Sequence, residues 1–440
     1  MNEKTEESRQ DLPSKKYFTS SIEQKFFEWY YKLFSIDEIE KKPVLQWTFG
    51  ALLLTYLVTF EAYARSGIVS VANYLHNSFV CLPYFQSCGE YFFLENLPYG
   101  YTQPLFYMIF FGLMILIVYW MYRRDWLLAH IGLLVLLVWK FLMVFVFSYE
   151  AGGNYNYFDV ILTAVLLFVA NKEFFLRVTF VMLYFLASTL KFEPGWILGT
   201  YFTAMEIGLP IFPDQLAPLV TSTVILMQVV GSWFLLSSNP VRQRLALTFF
   251  ILFHLYSGIL VHYRYLITAL PILLILFAVH NRPVSVPLNK KSITGWVILF
   301  ILLCWQLFPY SIGGDQRMTM EGYRFGLYMF EANHQCITES TMWLKDGTTQ
   351  SKRKHSFSAR YRCDPYKYWF QMKQVCLRFD SVDRISWTFD HSINGGPFYR
   401  IVDTENLCNL EYKAFSRNTW IKKVSDDPEI IGYPVKNVYK

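Results

Sequence analysis

Charge is scarce in this chain. Only 17% of its 440 residues are Asp, Glu, Lys or Arg, against roughly a quarter in ordinary soluble domains. Metal-ligand spacing is missing too: there is no His-Glu-x-x-His and no paired Cys-x-x-Cys. No glycine-rich phosphate loop follows a strand-like run. These absences exclude a motif-bearing metalloenzyme and a P-loop nucleotide enzyme. No cleavable signal is expected either, because the first apolar run starts only at Val44 and no small-residue site follows it. The net charge of +6 comes from basic residues in short polar patches. They read as topology determinants, so no nucleic-acid partner is expected.

What is abundant is apolar and aromatic: 54% of residues are hydrophobic and 19% are Phe, Trp or Tyr. From Pro43 to Pro309 apolar runs dominate; from Ser311 onward the composition is that of a soluble domain. A span needs roughly 20 apolar residues. On that basis about nine spans are expected, near 44–64, 103–122, 126–148, 158–170, 176–190, 216–237, 245–262, 265–280 and 293–310. The short ones, 158–170, 176–190 and 265–280, leave full crossing open.

The loops alternate in charge. Lys41 and Lys42, Arg123 and Arg124, Lys172 and Arg177, Arg242 and Arg244, and Lys290 and Lys291 fall in one set; the other holds only Arg65, Lys191 and Arg264. The positive-inside rule makes the first set, and the N-terminus, cytoplasmic. The expected fold is therefore a polytopic α-helical membrane domain followed by a small extracytoplasmic α+β or β-rich domain. Three units result: a cytoplasmic segment 1–43, a membrane domain 44–310 and an outer domain 311–440. In the first, Ile22, Phe26, Tyr30, Leu33 and Phe34 recur at helical spacing. That pattern fits an amphipathic helix lying on a membrane surface or packed on the helical domain.

Six of the seven cysteines, Cys81, Cys88, Cys336, Cys363, Cys376 and Cys408, fall in the outer loop or outer domain. An even number on the oxidising side makes them disulfide candidates, with connectivity open. In the outer domain, Asp346-Gly347 and Asn394-Gly395-Gly396 read as turns. Ile385, Trp387 and Phe389 alternate as in a strand, Phe398 to Val402 reads as a second strand, and Tyr366 to Phe379 reads as a helix. The run Lys352-Arg353-Lys354-His355 is expected to be a solvated loop rather than a site for an acidic partner.

Ionisable groups in apolar runs are functional candidates by default. Here they are Lys140, Glu150, Asp159, Lys191, Glu193, Glu206, His254 and His262. Lys140 is expected to pair with Glu150 or Asp159, or to line a cavity. Lys191 sits where the positive-inside rule disfavours lysine. A desolvated amine can serve as a neutral general base; the alternative is a lysine reaching the interface and paired with Glu193.

The series of residues around Lys191 resembles a known family. Tyr184-Phe185-Leu186-Ala187, Lys191, Trp196, Gly199 and Tyr201 are similar to the catalytic-lysine segment of the vitamin K-dependent gamma-carboxylase and its horizontally transferred transmembrane (HTTM) domain family. Phe253-His254, Glu321-Gly322-Tyr323-Arg324-Phe325, Ser392-Ile393-Asn394 and Arg400-Ile401 with Asp403 resemble later family segments in the same order. The chain departs from the carboxylase at Gly153-Asn154-Tyr155-Asn156-Tyr157, where the family's histidine is absent.

The resemblance implies a membrane enzyme in which Lys191 deprotonates vitamin K hydroquinone or menaquinol. Epoxidation of the quinol by oxygen then drives proton removal from a peptide glutamate and its carboxylation by carbon dioxide. It implies His254, Asn154 and Tyr155 as cofactor-cavity residues, a secreted peptide or protein carrying Glu as substrate, quinone and membrane lipid as partners, and no metal. It also implies a Cys376 bridge to Cys88 or Cys81, next to Met372-Lys373-Gln374. A non-carboxylating quinone- or lipid-binding relative is the alternative. A transporter is a third reading, disfavoured by the lack of inverted repeats. A bacterial inner membrane is expected ahead of the endoplasmic reticulum.

Overall fold

The computed structural model describes residues 21–66, 80–87, 102–147, 154–203, 208–261, 265–278, 285–327, 333–357 and 363–422. The chain begins with α1 (Ser21–Leu33) and α2 (Ile36–Lys41). A helical body follows: α3 (Pro43–Ser66), α4 (Thr102–Tyr122), α5 (Trp126–Phe147), α6 (Asn154–Phe168) and α7 (Lys172–Thr189). Two short helices, α8 (Pro194–Ile197) and α9 (Thr200–Thr203), lead to the helical stretch α10 (Asp214–Phe234), which contains a π turn at Met227–Gly231. The body closes with α11 (Pro240–Ile259), α12 (Tyr265–Thr268), α13 (Leu270–Phe277) and α14 (Ile293–Ile312).

The nine-span expectation is overturned. Among the described residues, two helices are long and apolar enough to cross a membrane: Asp214–Phe234 and Lys290–Ile312. The other apolar stretches that pass among the described residues run 10–17 residues, among them Met108–Tyr122, Trp126–Phe141 and Tyr157–Phe168. The physical reason is that an apolar run does not say which way its side chains face. Much of this apolar surface is spent on one continuous core, with Phe49, Leu52, Leu133, Leu162, Phe175, Phe180 and Phe250 fully buried among neighbouring helices. Charge interrupts other runs. The first turns of α7 carry Lys172, Glu173 and Arg177, and the run 265–280 is broken at Ala269 between two short helices.

Several polar groups in this core are matched. Glu38 of α2 accepts the Asn171 and Lys172 N–H groups at 2.7 and 3.0 Å, placing a carboxylate at the positive start of α7. His130 contacts the Leu167 carbonyl at 3.1 Å through Nε2. A carbonyl can only accept, so Nε2 carries the proton and Nδ1 accepts from the Tyr30 hydroxyl at 2.9 Å. Tyr30 thus packs α1 inward. The stripe Ile22, Phe26, Trp29 and Leu33 of the same helix stays exposed. Lys140 of α5 pairs with Asp159 of α6 under the Tyr56 ring, 4.7 Å from its centroid. Glu150, Glu206 and His262 lie outside the described residues.

After α14, the turn of helix α15 (Gln316–Thr319) leads into a four-stranded antiparallel sheet. Its strands are β1 (His334–Leu344), β2 (Thr349–Phe357), β3 (Val382–Ile393) and β4 (Tyr399–Thr404), in the order β2-β1-β3-β4. One helix, α16 (Pro365–Arg378), packs on it over Trp387 and Phe389, both fully buried. The Asp346-Gly347 turn closes the β1–β2 hairpin as expected, with Gly347 at φ 84°. The basic run Lys352 to His355 corrects the loop reading: it lies inside β2, an edge strand. Exposed lysines there blunt the open edge.

Two disulfides staple this domain, Cys336–Cys363 and Cys376–Cys408. The second corrects the implied bridge from Cys376 to the first outer loop. The C-terminal half of α16 faces the 407–409 turn, so Cys408 rather than an upstream cysteine lies within reach. Cys81 is disulfide-bonded and packs in the same core, while Cys88 lies outside the described residues.

Candidate functional site

The site forms where α7 runs out. After Thr189 the chain turns, the Lys191 N–H bonds Ser188 O at 2.9 Å, and the lysine side chain folds back along the helix end. Its Nζ donates to Ala187 O at 2.8 Å and lies 5.2 Å from the Trp196 ring centroid. Lys191 is 3% exposed, so it does not reach out to water.

Trp196 is held by a chain of contacts from the C-terminal domain. Glu193 caps α8, its carboxylate accepting the Gly195 and Trp196 N–H groups at 2.8 and 2.9 Å. Arg317 pairs with that carboxylate and is itself clamped by Asp315 at 2.8 and 3.0 Å. Burial pushes the Glu193 carboxyl up, with Arg317 and the two N–H groups pulling the other way. Gly195 leaves room for this cap: a Cβ there would meet the Glu193 carboxylate at 2.7 Å and the Asn394 amide, and one of these side chains would have to shift. Trp196 stacks on Tyr201, 5.2 Å between centroids. Asn333, just before β1, donates to the Tyr201 carbonyl.

Lys191 and Trp196 form one wall of a cavity of about 630 Å³. The opposite walls come from α10 and α11 and include Gln228, Phe253, His254 and Tyr256. Pockets of roughly 300–1,000 Å³ suit organic ligands of drug size. The lining is almost wholly apolar, and its few polar groups are informative. Tyr184 stacks on Phe250 at 4.3 Å and bonds His254 Nε2. The other ring nitrogen of His254, Nδ1, and Gln228 Oε1 are buried without a hydrogen-bond partner. An orphaned buried polar atom is costly. Both residues line the same apolar cavity.

The structure thus brings two of the sequence candidates, Lys191 and His254, to the same cavity. The side chains of Asn154 and Tyr155 lie outside the described residues. Gln228 was not among the sequence candidates. Its signal was a lone amide in the apolar run Val224 to Val230, now seen on a π turn, an irregularity that often marks functional positions. Arg317 was missed because its role depends on a carboxylate 124 residues away. Among the described residues no cluster of three or more His, Cys, Asp or Glu could hold a metal ion.

No family model, curated protein or solved structure matches this chain.

Proposed function

We propose that the protein is a membrane-associated, quinol-dependent enzyme of the gamma-carboxylase type, with Lys191 as the base. The observation that carries this reading is a lysine buried to 3% exposure in the wall of a large apolar cavity. Such a cavity suits a lipid-soluble aromatic ring, and His254 Nδ1 and Gln228 Oε1 suit its oxygens. A quinol, when bound, supplies an acidic hydroxyl and reducing equivalents. The chain's own residues then have clear tasks. The Lys191 amine takes the hydroxyl proton, Trp196 screens that amine from water, and Gln228 and His254 orient the ring.

Two helices able to cross a membrane, and the exposed Ile22, Phe26, Trp29 and Leu33 stripe, support membrane association. The two disulfides support an extracytoplasmic C-terminal domain. That domain reaches the site through Arg317 and Asn333, on the side from which a Glu-bearing peptide would arrive.

The test is conversion of vitamin K hydroquinone or menaquinol to its epoxide by purified protein. Lys191→Ala should lower the rate by roughly 10²–10⁴-fold, the usual value of a general base, while leaving the fold intact. Equal epoxide formation by the variant would end the proposal. A second reading, quinone binding without carboxylation, is favoured by the missing histidine at Gly153 to Tyr157. It predicts bound quinone and no gamma-carboxyglutamate in co-expressed peptide.

A further inference from the structure

The apolar cavity that holds Lys191 has a mouth. Leu252, Leu255 and Ile259, at i, i+3 and i+7 on α11, line the cavity and are exposed at the same time. Phe212 does the same. It ends a tight turn, Leu209 to Phe212, in the segment between α9 and α10, where the Phe212 N–H donates to Leu209 O at 3.1 Å. Leu209, at the other end of the turn, is buried in the cluster that includes Trp196, Tyr201 and Phe202. One end of the turn is thus set into the cavity wall and the other borders the opening.

The turn is strained at Ile211, whose φ of 74° lies in the left-handed region. Proline in the second place and a positive φ in the third define a type II turn, and that third place ordinarily takes glycine. A β-branched residue there is an outlier, at a cost of roughly 5–30-fold in population. The Ile211 side chain is 80% exposed, so its packing does not offset the cost. A type I turn would remove the strain. It differs by a flip of the central peptide, which brings the third residue to negative φ. What opposes the flip is a bond to the carbonyl that would turn. Pro210 O accepts the Tyr256 hydroxyl at 2.6 Å, and the Tyr256 ring lies 5.6 Å from that of Phe212. The hydrogen bond and the ring contact each favour the observed turn by roughly 2–12-fold. Strain and latch are of similar size, so two states of the turn lie close in free energy.

We propose that the 209–212 turn is a gate on this mouth, latched shut by the Tyr256 hydroxyl and biased toward release by the strain at Ile211. Flipping the central peptide parts Pro210 O from Tyr256 and lets Phe212 leave the opening. Leu252, Leu255 and Ile259 then form an apolar rim, suited to a ligand arriving from lipid rather than from water. The gate rests on the reading that the cavity takes a lipid-soluble ring. It does not require Lys191 to act on that ring.

The test follows menadione binding to full-length protein in neutral detergent, by stopped-flow quenching of tryptophan fluorescence. Ile211→Gly removes the strain and favours the shut turn, so association and dissociation should both slow about tenfold. Tyr256→Phe keeps the ring and removes the latch, so both rates should rise, by up to about fivefold. The gate is the same with the cavity empty or filled, so the ratio of the two rates should stay within about twofold of wild type in each variant. Unchanged rates in Ile211→Gly would overturn the gate. A change confined to dissociation in Tyr256→Phe would make Tyr256 a ligand contact and overturn the latch. If menadione quenches none of the three proteins, the gate and the ring-binding reading fall together. If the two variants shift the rates in opposite directions and no quinol epoxide forms, the gate stands and only the enzyme reading ends.

Discussion

Two lysines are buried in the helical body to nearly the same degree, Lys140 at 2% and Lys191 at 3% exposure, and their surroundings differ. Lys140 stands at the crossing of α3, α5 and α6, closed in by the Asp159 carboxylate and the Tyr56 ring. Lys191 stands at a helix end, with a carbonyl, an indole face and a large cavity beside it. Taking an ammonium out of water costs heavily wherever it happens. At Lys140 that cost is offset by a fixed counter-charge, which leaves the amine no other task. At Lys191 the neighbours leave room for a ligand. Burial alone does not mark chemistry; burial next to open space does.

The sharpest contrast is therefore expected between the two lysines themselves. Lys191→Ala should remove quinol turnover with little effect on the unfolding temperature. Asp159→Asn should do the reverse, because it leaves the Lys140 ammonium buried without its counter-charge, at a cost of about 3–5 kcal/mol. The paired change Lys140→Met with Asp159→Leu should recover most of that stability, as measured by thermal unfolding in detergent. If the double variant is no more stable than Asp159→Asn, the pair does more than neutralise itself. Lost turnover in the folded double variant would put Lys140 in the reaction as well.

The C-terminal domain carries a smaller effect, governed by pH. His334 and His391 are fully buried, 3.0 Å apart, and His391 also contacts Met318 O at 2.6 Å. Burial pushes both imidazoles down to about 3; Arg317 adds to this at His334 and His334 adds to it at His391, while Asp315 pulls both the other way. Below about pH 6.5 the unfolded chain takes up protons that the folded histidines refuse, so stability falls as pH falls toward 3. Asp364 acts in the opposite sense. It caps α16 through the Tyr366 N–H at 2.9 Å, and burial pushes its carboxyl up to about 7. Its folded form holds a proton that the unfolded form has lost, so stability falls as pH rises from about 4 to 7. Between about pH 4 and 6.5 two protons oppose one, and stability should rise with pH by roughly 1.4 kcal/mol per unit. Asp364→Asn should steepen that slope toward the two-proton value, read from Trp387 fluorescence during denaturant unfolding. A flat profile would mean that the histidines are not buried neutral.

Local pattern was legible in the C-terminal domain because its signals are short-range. Asp346-Gly347 demanded a turn, Ile385 to Phe389 alternated, and Tyr366 to Phe379 read as a helix, against the observed Pro365–Arg378. Lys352 to His355 misled because an edge strand shows polar residues on both faces, as a loop does. The helical body was legible as apolar and not as an arrangement. Hydropathy could not say that α3, α6 and α7 would bury their apolar faces against each other. At the site, Lys191 and His254 stood out as rare ionisable groups in apolar sequence. Gln228 did not, since an amide carries no charge to flag it, and Arg317 depended on a partner far along the chain.

Gln228 offers the finest separation between a cavity that binds a polar ring and one that merely holds lipid. Its Oε1 has no hydrogen-bond partner, and its side chain is 4% exposed. If a ligand hydroxyl donates to that oxygen, Gln228→Leu removes one hydrogen bond and relieves nothing else. Ligand affinity should then fall by roughly 1 kcal/mol, about fivefold, with the limiting rate at saturating quinol little changed. If only apolar chains occupy the cavity, the same substitution removes an unsatisfied buried amide. Binding should then tighten and the unfolding temperature rise. Quinone titration of the two proteins by fluorescence quenching distinguishes these outcomes by sign alone. Tighter binding by the leucine variant would remove the polar-headed ligand from this cavity while leaving the buried Lys191 to be explained by other chemistry.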